Sequence, residues 1–238
     1  MPRLEASGHA DASDHADGSV HAESSAPVEG SERSAPVEAS VPVEGSVSAA
    51  DLLAELGSCT QISKGKYRTD AAAGATVPVC GLKGAVYWKA DMDIDCDGQR
   101  TTQCNATTDP WFQPNTAFQQ SDGKHLNSAK LPFVVVPSPS TAWNYKTSEI
   151  SGGSVAAVVY DGKVEYAVVG DTGPVGIIGE ASYAAAKALD IDPDPRTGGV
   201  ASGVAYILFK NSKATPIESH SAAVELGDSL ARQFLADN

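Results

Sequence analysis

The chain has 238 residues, of which 17 are basic and 30 acidic, for a formal net charge of −13. Hydrophobic residues make up 42% of it, which excludes wholesale disorder, and no run approaches the roughly 20 apolar residues that span a bilayer. So acidic a surface repels phosphate backbones and attracts polycations, which argues against nucleic acid and membrane alike as partners.

Residues 1–50 are built from Ser, Ala, Glu, Asp, Gly, Val and Pro, contain no aromatic residue, and repeat a short unit as Pro27-Val28-Glu29, Pro36-Val37-Glu38 and Pro42-Val43-Glu44. With little to bury against the entropy of ordering, this segment is expected to be a disordered acidic spacer, followed by one folded domain over residues 51–238. His9, His15 and His21 recur every six residues within it, a pattern more often solvated than metal-binding. The N-terminus shows no basic segment followed by an apolar one, so no secretory leader is visible. Cys59, Cys80, Cys96 and Cys104 nevertheless suggest two disulfides in an exported protein, because their spacings form no paired zinc knuckle. Three connectivities are open. Asn105-Ala106-Thr107 is a formal glycosylation sequon.

The folded part begins with a short helix over Asp51–Leu56, capped by Ser48 and ended by Gly57. Strands are expected at Ala85–Asp93, Phe133–Val136, Val155–Tyr160, Lys163–Val169 and Gly203–Phe209, all rich in Val, Ile, Tyr or Phe. Asp161-Gly162 between two of them is a two-residue hairpin signal. Helices are expected at Ser182–Leu189 and Ser219–Leu235, the second with Ala223, Leu226, Leu230 and Phe234 at helical spacing. Many short strands with a few helices predict a mainly β fold, a β-barrel with peripheral helices.

Two stretches carry chemistry. In Asp91-Met92-Asp93-Ile94-Asp95-Cys96-Asp97, an extended chain places Asp91, Asp93, Asp95 and Asp97 on one face and the apolar residues on the other. Like charges so close require a counter-cation. An EF-hand calcium loop starting at Asp93 fails at its twelfth position, which is Cys104, so a cationic ligand along the strand is the alternative, and no metal is expected. The second stretch runs from Tyr166 through Asp171 to Glu180. An apolar strand delivers Asp171, and after a Gly/Pro turn Ile177 and Ile178 return the chain to Glu180, expected to open a helix. Two carboxylates facing one cleft are what glycoside hydrolysis requires, although both are also ordinary structural choices at these positions.

The segments Tyr87-Trp88-Lys89-Ala90-Asp91 to Gly98, Asp109-Pro110-Trp111-Phe112-Gln113-Pro114, Pro132–Pro137, Val158–Tyr166 and Asp171–Ser182 resemble the fungal-type chitosanases of glycoside hydrolase family 75. The resemblance spans roughly Cys59 to Leu235. It implies endo-hydrolysis of β-1,4-linked glucosamine in chitosan with inversion, no cofactor, a secreted enzyme, and Asp171 with Glu180 as the catalytic pair; the missing leader departs from that pattern. A fainter similarity links Asp171-Thr172-Gly173-Pro174 and the following helix to double-psi β-barrels. Chitosan, a polycation, suits the acidic surface, with Asp93 and Asp95, helped by Asp91 and Asp97, binding its ammonium groups. Trp88 or Trp111 stacks on sugar faces, or is a core aromatic. Glu180 is assigned as acid and Asp171 as base on the higher intrinsic pKa of Glu alone. A monomer is expected. A peptidoglycan-acting barrel enzyme and a non-catalytic polysaccharide-binding module stay open as alternatives.

Overall fold

The computed structural model describes residues 46–238; nearly all of the expected spacer, with its three histidines, lies outside them. Ten elements follow in chain order: α1 (Ala49–Glu55), β1 (Cys80–Leu82), β2 (Ala85–Asp95), β3 (Phe133–Pro137), β4 (Val155–Tyr160), β5 (Lys163–Gly173), β6 (Glu180–Ser182), α2 (Tyr183–Ala188), β7 (Val200–Phe209) and α3 (His220–Asp237). All three helices start behind a serine whose hydroxyl accepts an amide of the first turn: Ser48, Ser182 and Ser219. The β4–β5 hairpin closes through Asp161 (φ 45°) and Gly162 (φ 76°), the two positive angles of a type I′ turn, and pairs Tyr160 with Lys163.

The strands form a closed six-stranded barrel in the order β2-β6-β3-β5-β4-β7, with β7 pairing back to β2 and β1 added alongside β2. The β2/β6 and β3/β5 pairs are parallel and the remainder antiparallel. The expected mainly β barrel with peripheral helices is what the chain forms.

Strand alternation divides the apolar residues into two cores. Val86, Trp88, Met92, Val134, Val136, Val158, Val169, Tyr206 and Leu208 fill the barrel interior. Tyr87, Phe133, Ile207 and Phe209 point outward and are covered by Leu52 of α1 and Phe234 of α3. Each large side chain buried this way contributes roughly 1.5–3 kcal/mol. Trp88 is fully buried, stacked on Tyr206 with ring centroids 5.4 Å apart and edge-on to Trp143. It is a core aromatic, and no sugar reaches it.

Two disulfides form, Cys59–Cys80 and Cys96–Cys104. The first ties the segment after α1 to β1, and the second closes the start of the long 96–132 connection.

One expectation changes. Glu180 does not open a helix: it lies in β6, a three-residue strand between β2 and β3, and α2 begins only at Tyr183. Three residues carry no periodicity, so the strand is visible only through its neighbours.

Candidate active site

Pairing registers determine which side chains meet. Val135 of β3 pairs with Asp171 of β5 on one side and with Glu180 of β6 on the other, and Glu180 pairs in turn with Asp93 of β2. Asp171, Val135, Glu180 and Asp93 therefore form one row across four strands, on the barrel's outer face.

Asp171 is in that row because of a bulge. Along β5, Val168 packs outward and Val169 inward, so simple alternation would turn Asp171 inward. The register instead skips Gly170 between the pairs Val134–Val169 and Val135–Asp171. The extra residue re-aims Asp171 to the outer face. Position 170 must be glycine, since a Cβ there would sit 2.6 Å from Phe133 and 2.8 Å from Leu126.

On β2 the alternation holds. Met92 joins the barrel interior and Ile94 packs against it, while Asp91, Asp93 and Asp95 point the other way. Asp93, Asp95, Asp97, Asp171 and Glu180 line one cleft of about 590 Å³, together with Asp109 and Trp111. Trp111 is 84% exposed at its rim. Asp91 is absent from this lining and faces a neighbouring recess with Asp70 and Asp93.

The family model of fungal chitosanases of glycosyl hydrolase group 75 matches residues 92–234. The chain belongs to that family. It is similar to an endo-chitosanase of Aspergillus fumigatus, 31% identical over 176 residues that cover 67% of this chain and 74% of that protein. It is also similar to endo-chitosanase B of Aspergillus oryzae, 29% identical over 181 residues, 68% of this chain and 75% of that protein. A further endo-chitosanase of Aspergillus oryzae is 28% identical over 206 residues, 73% of this chain and 84% of that protein.

In this chitosanase-family site the acids differ in what surrounds them. The amides of Ala117 and Thr172 each donate to Oδ1 of Asp171 at 2.7 Å. Burial raises the Asp171 pKa, while these two amides and the nearby His125 pull it back down. Among the described residues no donor reaches the carboxyl of Glu180. Its pKa is pushed up to about 8, first by burial and then by Asp93, Asp97, Asp171 and Asp109. Asp95 is held well above the usual carboxylate range by burial, Glu180, Asp171 and Asp97, although the Asp97 amide donates to its Oδ1 at 2.6 Å. Asp97, raised to about 6 mainly by burial, accepts from the Gln113 amide at 2.6 Å. One oxygen from each of Asp95, Asp97 and Asp171 lies within 4.8 Å of the others, so this trio also has the spacing of a cation site.

Two loops wall the cleft, and of their residues sequence reasoning gave a role only to Asp97 and Trp111. The 96–132 connection brings in Asp109, whose Oδ1 accepts the Trp111 amide at 2.8 Å, and the Ala117 amide that meets Asp171. The loop before β7 brings in Asp194 and Arg196. The Arg196 guanidinium donates to the carbonyls of Thr107 (2.7 Å) and Thr108 (3.0 Å), joining the two loops. In the sequence, Asp97 and the Asp-Pro-Trp motif at 109–111 were the signals that touched this wall. The motif's aspartate was not singled out because no periodicity linked it to β2.

Proposed function

We propose that this chain is an endo-chitosanase that cleaves β-1,4 links between glucosamine units with inversion, Glu180 acting as general acid and Asp171 as general base. The supporting observation is the row in which one strand separates the two carboxylates. Two interstrand spacings of about 4.8 Å put their Cα atoms about 10 Å apart, the scale of inverting pairs, which hold their carboxyls about 6.5–9.5 Å apart to admit a water. Acids on adjacent strands would sit nearer the roughly 5 Å of retaining pairs.

The environments assign the roles. Glu180, without a donor and surrounded by carboxylates, keeps its proton through the mildly acidic range and delivers it to the leaving oxygen. Asp171, held by two amides, is the acid of the pair more readily ionised, and it takes a proton from the attacking water. Asp93, Asp95 and Asp97 supply carboxyl acceptors for glucosamine ammonium groups, whose positive charge favours their ionised forms, and Trp111 offers an exposed ring face to a sugar. The two disulfides suit a secreted enzyme, and we take it to act as a monomer on its polymer.

The test is digestion of chitosan, chitin and peptidoglycan, with reducing ends counted and the newly formed anomer followed by proton NMR. Chitosan should be cut, giving the α-anomer first. Cleavage of peptidoglycan alone would sink the substrate assignment, and an initial β-anomer would sink the mechanism.

A further inference from the structure

Strand β6 is three residues long and Glu180 is its first, so the segment ahead of it decides how that carboxyl enters the cleft. The segment is stitched to its neighbours on both sides. The Arg68 amide donates to the Gly176 carbonyl at 3.0 Å, the Ile178 amide to the Arg68 carbonyl at 3.0 Å, and the Asp93 amide of β2 to the Gly179 carbonyl at 2.8 Å. Gly179, the last residue before Glu180, has φ +111°, a backbone angle that residues with a side chain rarely adopt.

The group that faces Gly179 is the Asp91 carboxyl. A Cβ at position 179 would overlap Oδ1 of Asp91 and stand 3.1 Å from the Ala90 Cβ. The hydrogen that glycine carries in that place is turned toward Oδ1, the arrangement of a weak Cα–H···O contact. Asp91 is only 7% exposed, and this Oδ1 is buried without a hydrogen-bond partner. Stability alone disfavours such a group, since an apolar side chain of similar shape would leave no acceptor unmet. Burial, Asp93 and Asp70 push its pKa up to about 7, so in the mildly acidic range it packs there as a neutral acid. Its backbone is fixed from inside the barrel: the Asp91 carbonyl accepts the Tyr206 hydroxyl at 2.8 Å, and the Tyr206 ring stacks on Trp88. A firmly held strand thus presses a flat carboxyl against the residue that aims Glu180.

We propose that Asp91 is a positioning residue, whose carboxyl seats Gly179 and so sets the direction in which Glu180 presents its own carboxyl to the cleft. Asp91 does not line the cleft, so its effect reaches the reaction through Gly179. The assignment rests on Glu180 being the general acid.

Two substrates compared at mildly acidic pH test it. Chitosan has a leaving sugar oxygen that needs a proton, whereas a glucosamine oligomer carrying a dinitrophenyl leaving group departs without one. Asp91→Ala should lower kcat on chitosan roughly 10–100-fold, the scale of an ångström's misplacement, with KM within about 2-fold of wild type. On the dinitrophenyl substrate its kcat should stay within about 2-fold of wild type. Asp91→Asn keeps the shape of the neutral acid and should recover most of the loss. Asp91→Ser withdraws the carboxyl from Gly179 in the same way and takes the place of Asp91→Ala if thermal melts show that variant unfolded. An equal loss on both substrates, or an unchanged kcat on chitosan in a folded variant, overturns the assignment. So does a raised KM with unchanged kcat in Asp91→Asn, which would make Asp91 a charge contact for the substrate. Glu180→Gln is the control for the underlying reading: it should lose chitosan and keep the dinitrophenyl substrate, and a Glu180→Gln enzyme that still cuts chitosan overturns the acid assignment itself.

Discussion

Replacing Glu180 by Gln should change two quantities in opposite directions. The carboxyl of Glu180 is lifted from its ordinary 4.5 to about 8, and at 1.36 kcal/mol per pH unit this corresponds to a ceiling of about 5 kcal/mol. The folded state holds this proton more tightly than the unfolded chain does. Its contribution to stability is therefore fully present below about pH 4.5 and is lost as pH rises through about 8. Glutamine matches the neutral acid in size and cannot ionise. At pH 4.5 the variant and the wild type should melt within a degree or two of each other. At pH 9 the variant should be more stable by up to about 5 kcal/mol, and at about 2–4 °C per kcal/mol for a domain of this size its Tm should rise by about 10–20 °C. Turnover on chitosan should meanwhile fall roughly 10²–10⁴-fold, the usual contribution of one positioned acid. Thermal melts at the two pH values, at equal ionic strength, check the first half, and released reducing ends check the second. Equal Tm differences at both pH values would mean that Glu180 ionises normally, and the general-acid assignment would lose its physical basis.

Asp171→Asn should lower turnover by roughly 10²–10⁴-fold while oligomer affinity and Tm stay close to wild type, as separate binding and rate measurements would show. Asp93→Asn should chiefly raise KM, and the difference from wild type should shrink between low salt and about 1 M salt as screening weakens the ammonium–carboxylate attraction. Removing the Cys96–Cys104 bridge with paired alanines should cost about 2–3 kcal/mol in a denaturant titration, given its eight-residue separation, and should depress turnover by loosening the connection that carries Asp97. Deleting residues 1–45 should leave turnover and Tm unchanged; the cut has to stop short of Val47, which packs on the outer core.

Much of this architecture was legible because local signals and tertiary demands agreed. Asp161-Gly162 specifies a turn that only a hairpin uses, and the Ser48 cap and the helical spacing of Ala223, Leu226, Leu230 and Phe234 announce helices whose apolar faces then cover the barrel. The alternating aspartates of β2 likewise marked a strand with one apolar and one charged face. What escaped was settled by pairing between distant segments. Strand β6 exists because β2 and β3 leave room for three residues, and nothing in Glu180-Ala181-Ser182 itself says strand. The need for glycine at the 170 bulge comes from Phe133 and Leu126 on other segments, which leave no room for a Cβ. Asp91 and Asp93 look equivalent in the sequence, yet one is buried and the other exposed, because Gly179 packs against the Asp91 carboxyl while Asp93 stands in the open cleft. Trp88 and Trp111 are likewise indistinguishable by composition; alternation sends Trp88 into the barrel, while Trp111 stands on a loop.

The placement of Val135 between Asp171 and Glu180 makes the distance between the two acids a property of the sheet rather than of any loop. Interstrand spacing cannot be adjusted by small increments. A one-residue slip of either strand would send its carboxylate to the barrel interior instead of moving it an ångström. Apart from Ala117 and Leu126, which bear on Asp171 and its bulge, the loops around the cleft can lengthen, shorten or change charge without disturbing this gauge. On the proposed mechanism the choice of sugar and the handedness of the product would be separately inherited: sequence drift in the 96–132 and 190–199 segments would retune the first, and a rearranged barrel would be needed to alter the second.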